Sequence, residues 1–183
     1  MKNRCSWCNE KNLKYIEYHD NEWGVPVYDD TLLLEMLILE LFHCGLSFEI
    51  ILNKRESFKK VFHNYDLEYM CSMNEKDVEL LLINSSIVRH RKKIESAINN
   101  SKVFLNIQKE FGSFANYIWS FTDNKIVYEV GKPKSELSDM VLKDFKNRGM
   151  KFLGSTTVYA YLAAIGIINS HERECFLYQG ERC

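Results

Sequence analysis

The chain has 183 residues, 46% of them hydrophobic and 13% aromatic, with only two prolines and eight glycines. That composition supports one buried core, or two small lobes sharing one, and favours helices over a sheet-and-turn protein. The formal net charge of −1 argues against an indiscriminate polyanion binder.

In chain order, Met1-Lys2-Asn3-Arg4-Cys5 runs into polar sequence with no apolar h-region behind it, and later apolar runs are short and interrupted by charge. The expectation is a cytoplasmic chain without a secretory signal or membrane span. Its six cysteines then read as thiols or metal ligands rather than a disulfide framework. Next comes Tyr18-His19-Asp20-Asn21-Glu22-Trp23-Gly24-Val25-Pro26, which packs a potential metal ligand, carboxylates, an amide and large aromatics into nine residues. It reads as a loop that builds a site.

Asp30 or Thr31 caps a helix predicted over Leu32–Phe42, apolar nearly all round and therefore central. Glu40 lies within it. A carboxylate on a helix with no polar face must be buried or line a cavity, and it needs a hydrogen bond or a positive partner there. Glu35, nearer the helix start, is the weaker candidate. His43, Cys44 and Gly45 make a tight turn, Leu46 projects from it, and Ser47 caps a helix over Phe48–Phe62. An apolar tip such as Leu46 is either a core plug or a wedge for a partner.

Asn74, with Asp77 three residues on, caps a short helix through Ile83. Asn84-Ser85-Ser86 turn the chain, Ile87 and Val88 anchor it, and a long amphipathic helix follows from about Arg89 to Glu110. Amides in such a turn can hold a phosphate at the next helix N-terminus, and Arg89, Arg91, Lys92 and Lys93 follow at once. Residues 1–40 hold four Lys/Arg against eight Asp/Glu, whereas residues 86–151 hold thirteen against seven. The neutral total thus conceals a basic region. A solvated lysine-rich surface is its plain reading, and a phosphate-binding face the sharper one.

Further helices are expected over Phe114–Phe121, over Asp139–Arg148 closed by Gly149, and over Thr157–Ile165. Residues 125–137 look irregular, and nothing alternates convincingly for a sheet. Near the end, His171 and Cys175 are spaced to share one face of a helical turn. With Cys5 and His19 they would make a closed set of two thiolates and two imidazoles, the donors of a structural zinc ion. Cys5-Ser6-Trp7-Cys8 is itself a common zinc half-site, so Cys8 competes with His19.

Taken together, these segments resemble the bacterial 3-methyladenine-DNA glycosylase I family over nearly the whole chain. The likeness runs through Tyr18–Pro26, Glu40…Gly45-Leu46-Ser47, Ile87–Ile94, Arg148–Gly154, and Gly166 to His171 and Cys175. It implies an all-α fold of the helix-hairpin-helix glycosylase group, one unit over residues 1–183. A lobe of about 1–30 and 150–183 would be joined by zinc, and a helix-hairpin-helix lobe would span about 47–125. It implies Cys5, His19, His171 and Cys175 as ligands of one structural zinc, with Cys8 spare. It also implies a base pocket of Tyr18, Trp23, Phe48 and His43, with Glu40 accepting hydrogen bonds from the adenine edge. Gly45 and Leu46 would fill the gap in the duplex, and Ile87, Val88, Arg89, Arg91, Lys92 and Lys93 would hold phosphates.

The implied reaction is hydrolytic excision of 3-methyladenine from alkylated double-stranded DNA by a monomer, without strand cleavage and without a nucleotide cofactor. The family usually carries Gln at position 43, Trp at 48, Gln at 163 and a glycine at 86, where this chain has His43, Phe48, Ala163 and Ser86. The alternatives are a damaged-DNA-binding protein that no longer cleaves, or a glycosylase of changed alkylpurine specificity.

Overall fold

The structure, a computed structural model, describes residues 2–180. Its elements are α1 (Leu13–Asn21), α2 (Asp30–His43), α3 (Phe48–Val61), a 3-10 turn (His63–Tyr65), α4 (Leu67–Ser72), α5 (Glu75–Ile83), α6 (Arg91–Phe111), α7 (Phe114–Ser120), β1 (Val127–Tyr128), α8 (Glu136–Asn147), α9 (Ser155–Ala164) and β2 (Ile168–Asn169). The all-α expectation holds, and no helix among the described residues is long and apolar enough to cross a membrane.

α2 is the axis of the fold. Every residue from Leu33 to Phe42 is buried, and α3, α6, α7 and α9 pack around it. Its cap is Asp29, whose side chain accepts from the Leu32 amide at 2.9 Å. Asp30, expected to cap this helix, caps another instead. Its carboxylate accepts from the amides of Phe114 and Ala115 at 2.7 and 2.8 Å and from Gln108 Nε2 at 2.6 Å. The start of α2 is thereby tied to the start of α7. Asn74 and Asp77 form the expected capping box on α5.

Several expectations are corrected. Tyr18 and His19 lie in the last turn of a helix, α1, rather than in a loop. The buried side of α1 is Tyr15, Tyr18 and His19, an aromatic stripe without the aliphatic period that marks a helix in sequence. α6 begins at Arg91 because His90 is its cap, leaving Arg89 outside. His171 and Cys175 lie in non-helical chain, where a turn closes from the Cys175 amide to the Glu172 carbonyl at 2.8 Å.

A two-residue parallel ladder pairs Val127 with Ile168 and Tyr128 with Asn169. It is too short to alternate visibly, yet it aims the C-terminal segment back toward α1. The N-terminal loop crosses the end of α9, where Gly24 N donates to Ala163 O at 3.1 Å and Val27 N to Ile165 O at 3.0 Å. Gly166, at φ +77°, permits that crossing, since a Cβ there would meet the Val25 carbonyl oxygen at 2.6 Å.

Candidate active site and metal centre

Helices α1, α2, α3 and α9 enclose a cavity of about 450 Å³. Tyr18, Trp23, Glu40, His43 and Phe48 all line it, so the residues proposed from sequence for the base pocket are brought together. Its aromatic wall is continuous. Tyr18 and Phe48 ring centroids lie 5.0 Å apart, and His43 meets Phe48 edge-on at 5.1 Å.

Glu40 is only 4% exposed. Its Oε2 lies 3.0 Å from His43 Nδ1. Glu35, the weaker candidate for lying nearer the helix start, is buried just as deeply, at 2%. It differs in its partners: Arg55 Nε donates to it at 2.7 Å, and Lys59 stands 3.6 Å away. Glu35 is thus a satisfied structural ion-pair member, and Glu40 is the acid that opens on the cavity. The Tyr18 hydroxyl is also buried and has no hydrogen-bond partner among the described residues. Burial first, then the nearby Glu40 charge, push that hydroxyl far above the usual phenol range, so it remains a donor.

Sequence reasoning missed Trp7, Tyr15, Lys132, Tyr159, Ser170 and Glu172, which also line the cavity. Tyr15 lies one helical turn before Tyr18 and follows once α1 is known. Lys132 is brought in by the loop after β1. It is paired with Glu129 at 3.2 Å, and no local pattern marks it.

Beside the cavity, Cys5, His19, His171 and Cys175 form a buried group whose ligand atoms all lie within 4.8 Å of one another. Cys5 Sγ and His171 Nδ1 are 3.5 Å apart, Cys175 Sγ and His19 Nε2 3.5 Å, and Cys175 Sγ and His171 Nδ1 3.6 Å. A tetrahedral ion with bonds of about 2.0–2.3 Å requires N–S edges of about 3.5 Å. The donor set therefore fits a metal ion. Amides of Glu172 and Leu177 donate to the sulfurs of Cys5 and Cys175, which suits thiolate ligands. Burial is the main force pushing the Cys5 thiol up to about 12, and burial also drives the His171 imidazole down to about 4. His19 Nδ1 lies 2.8 Å from Asp20, which Arg4 holds through two bonds, so Nε2 is left to face the sulfurs. Cys8 stands apart, its Sγ 3.8 Å from the Tyr15 carbonyl.

Trp23 touches both places. Its ring meets His171 edge-on at 4.7 Å and Trp7 at 4.7 Å, and both tryptophans line the cavity.

On the other flank, the α5–α6 hairpin rests on α3, where Lys54 Nζ donates to the carbonyls of Ser85 and Ser86 at 3.2 and 3.0 Å. Ile87 is buried and Val88 half-buried, while Arg89 and Lys92 are exposed. Arg91 is engaged by Glu75, Glu79 and Glu95, so it closes the hairpin. Lys93 departs furthest from expectation. It is 4% exposed, and its ammonium donates to the carbonyls of Phe42 and Cys44 at 2.8 and 2.6 Å. It is not held out for a phosphate. Leu46 is half-buried against the core, and the Gly45 turn beside it, at φ +76°, is open to solvent.

A family model described as methyladenine glycosylase matches residues 7–178. A curated relative named DNA-3-methyladenine glycosylase, from Haemophilus influenzae, is 38% identical over 181 residues, covering 96% of this chain and 97% of its own. A crystal structure of 3-methyladenine DNA glycosylase I superposes with a TM-score of 0.92 at 39% identity, over 97% of this chain and 100% of that one. A variant of 3-methyladenine DNA glycosylase I in complex with 3-methyladenine superposes with a TM-score of 0.90 at 32% identity, over 95% and 96% of the two chains.

Proposed function

The chain belongs to the methyladenine glycosylase family, and from that premise we propose that it flips 3-methyladenine out of alkylated double-stranded DNA and hydrolyses its glycosidic bond. The observation that carries this reading is the pairing, in one aromatic-walled cavity, of the buried Glu40 carboxylate with the Tyr18 hydroxyl, which has no partner among the described residues. Together they offer an acceptor and a donor to the edge of a purine inserted beside Phe48.

The chemistry fits that equipment. Methylation at N3 makes the adenine cationic, so its bond to the sugar is weak and the base leaves neutral. Strong general-acid help is unnecessary. The enzyme must unstack the nucleotide, hold its base, and stabilise an oxocarbenium-like sugar. Glu40 accepts from the base edge and favours the positive charge of the transition state. Tyr18 donates to the base, and Tyr18, Trp23 and Phe48 supply the faces it packs on. Water adds at the sugar carbon as the base departs and gives up a proton to solvent, leaving an abasic site. Lys132 lines the cavity, and its Nζ is engaged by Glu129 at 3.2 Å rather than free to attack the sugar. That supports base removal without strand cleavage.

Phosphate contacts are assigned to Arg89 and Lys92 with the turn amides at Ile87 and Val88, and the gap left in the duplex is assigned to Gly45 and Leu46. Zinc is the ion that two thiolates and two imidazoles suit best, and it would tie the chain ends together in a cytoplasm that reduces disulfides.

The test is a duplex alkylated with methyl methanesulfonate, scored for abasic sites and, by mass spectrometry, for the released base. Released 3-methyladenine is the expected result. Binding without release would point to a non-cleaving damage binder, and release of another purine to a changed specificity. His43 and Ala163, both lining the cavity, are where that change would originate.

A further inference from the structure

Lys93 is a buried cation with no place in the chemistry above. It sits in the first turn of α6, where the helix dipole disfavours a positive charge. Burial lowers its pKa further. These costs are offset at the far end of the side chain, where the ammonium meets the C-terminal carbonyls of α2. The two carbonyls it holds, of Phe42 and Cys44, bracket His43. The same turn is closed by Leu46 N donating to His43 O at 2.8 Å, and His43 contacts Glu40.

One side chain thus links three things: the start of the hairpin helix, the turn that carries Leu46, and the residue beside Glu40. We infer that Lys93 is a positioning residue that couples DNA-backbone binding at the hairpin to the posture of the Gly45–Leu46 turn and of His43 and Glu40. This rests on the glycosylase reading. When Arg89 and Lys92 seat on phosphates, α6 cannot move relative to α2 without breaking two hydrogen bonds, that to Phe42 buried and that to Cys44 half-buried. The duplex is therefore gripped at a fixed distance from the residue that fills its gap and from the acid that holds its base.

The test compares wild type with Lys93→Met, which keeps the aliphatic stem and removes the donors, and with Lys93→Arg, which keeps donors and charge. Three quantities are read: duplex affinity with its salt dependence, affinity for free 3-methyladenine, and single-turnover excision. For Lys93→Met the expectation is duplex and free-base affinities within about threefold of wild type, an unchanged salt slope, and excision slower by about tenfold or more. Lys93→Arg should recover most of the rate. Loss of duplex affinity with the salt slope reduced by about 0.9 would make Lys93 a phosphate ligand and overturn the inference. So would unchanged excision, or loss of all three activities in both variants.

A measurement on wild type keeps the inference testable if Lys93→Met does not fold. Reductive methylation, read by peptide mass spectrometry, should leave Lys93 unmodified with or without DNA, while Lys92 is modified in the free protein and protected by DNA. Methylation of Lys93 in the free protein that DNA then blocks would overturn the inference. Failure of wild type itself to excise 3-methyladenine would instead overturn the function proposed above.

Discussion

Glu40 Oε2 lies 3.0 Å from His43 Nδ1, joining an acid that is almost wholly buried to an imidazole about a third exposed at the cavity wall. The contact orients one carboxylate oxygen toward His43 and leaves the other without a hydrogen bond among the described residues. Glu40→Gln keeps the shape and removes the charge. We expect it to bind methylated duplex within about threefold of wild type and to lose roughly a hundredfold or more in single-turnover excision. Full activity in that variant would remove Glu40 from the mechanism.

Glu40 was legible in the sequence because a carboxylate amid Met36–Phe42 has nowhere polar to go. Position along the helix ranked Glu35 lower, but the two are buried alike, so that is not the difference between them. What separates them is Arg55, on a different helix 20 residues away, a tertiary pairing that local pattern does not encode. Helix α1 escaped for another reason: its buried positions are tyrosines and a histidine, which look equally at home in a loop. The basic run after Val88 promised four phosphate ligands, but charge in sequence does not say which way a side chain turns. Lys93 turns inward and Arg91 turns to glutamates, and only the packing of α6 against α2 and α5 decides that.

Tyr18→Phe probes the donor. The hydroxyl is buried without a partner among the described residues, so its removal leaves no orphan and relieves one. Thermal stability should be equal to or slightly above wild type, by up to about 1 kcal/mol. Affinity for free 3-methyladenine should fall by about tenfold, the worth of one buried hydrogen bond. A destabilised Tyr18→Phe with undiminished base binding would show that the hydroxyl serves the fold.

The metal centre and the pocket share Trp23, which packs edge-on against His171 while lining the cavity. Chelation should therefore act twice. Removing the proposed zinc should lower the melting temperature, because binding to a site that exists only in the folded chain is folding free energy. It should also weaken binding of free 3-methyladenine at temperatures where the apo protein is still folded by circular dichroism. Metal analysis of purified protein should give about one zinc per chain. Chelation that left base binding untouched would separate the two sites.

Gly166 tests how the N-terminal loop is seated. Its φ of +77° disfavours any side chain, and a Cβ would run into the backbone of Val25 and Pro26. Backbone cannot swing aside as a flexible side chain can. Gly166→Ala must therefore push residues 24–26 away from the end of α9, stretching the bonds from Gly24 to Ala163 and from Val27 to Ile165. The expected cost is on the order of 3 kcal/mol, a fall of roughly 6–12 °C in melting temperature for a chain of this size. Because Trp23 precedes the displaced segment directly, base affinity should fall as well. A Gly166→Ala protein with wild-type melting and base affinity would mean that the loop yields at that crossing without strain.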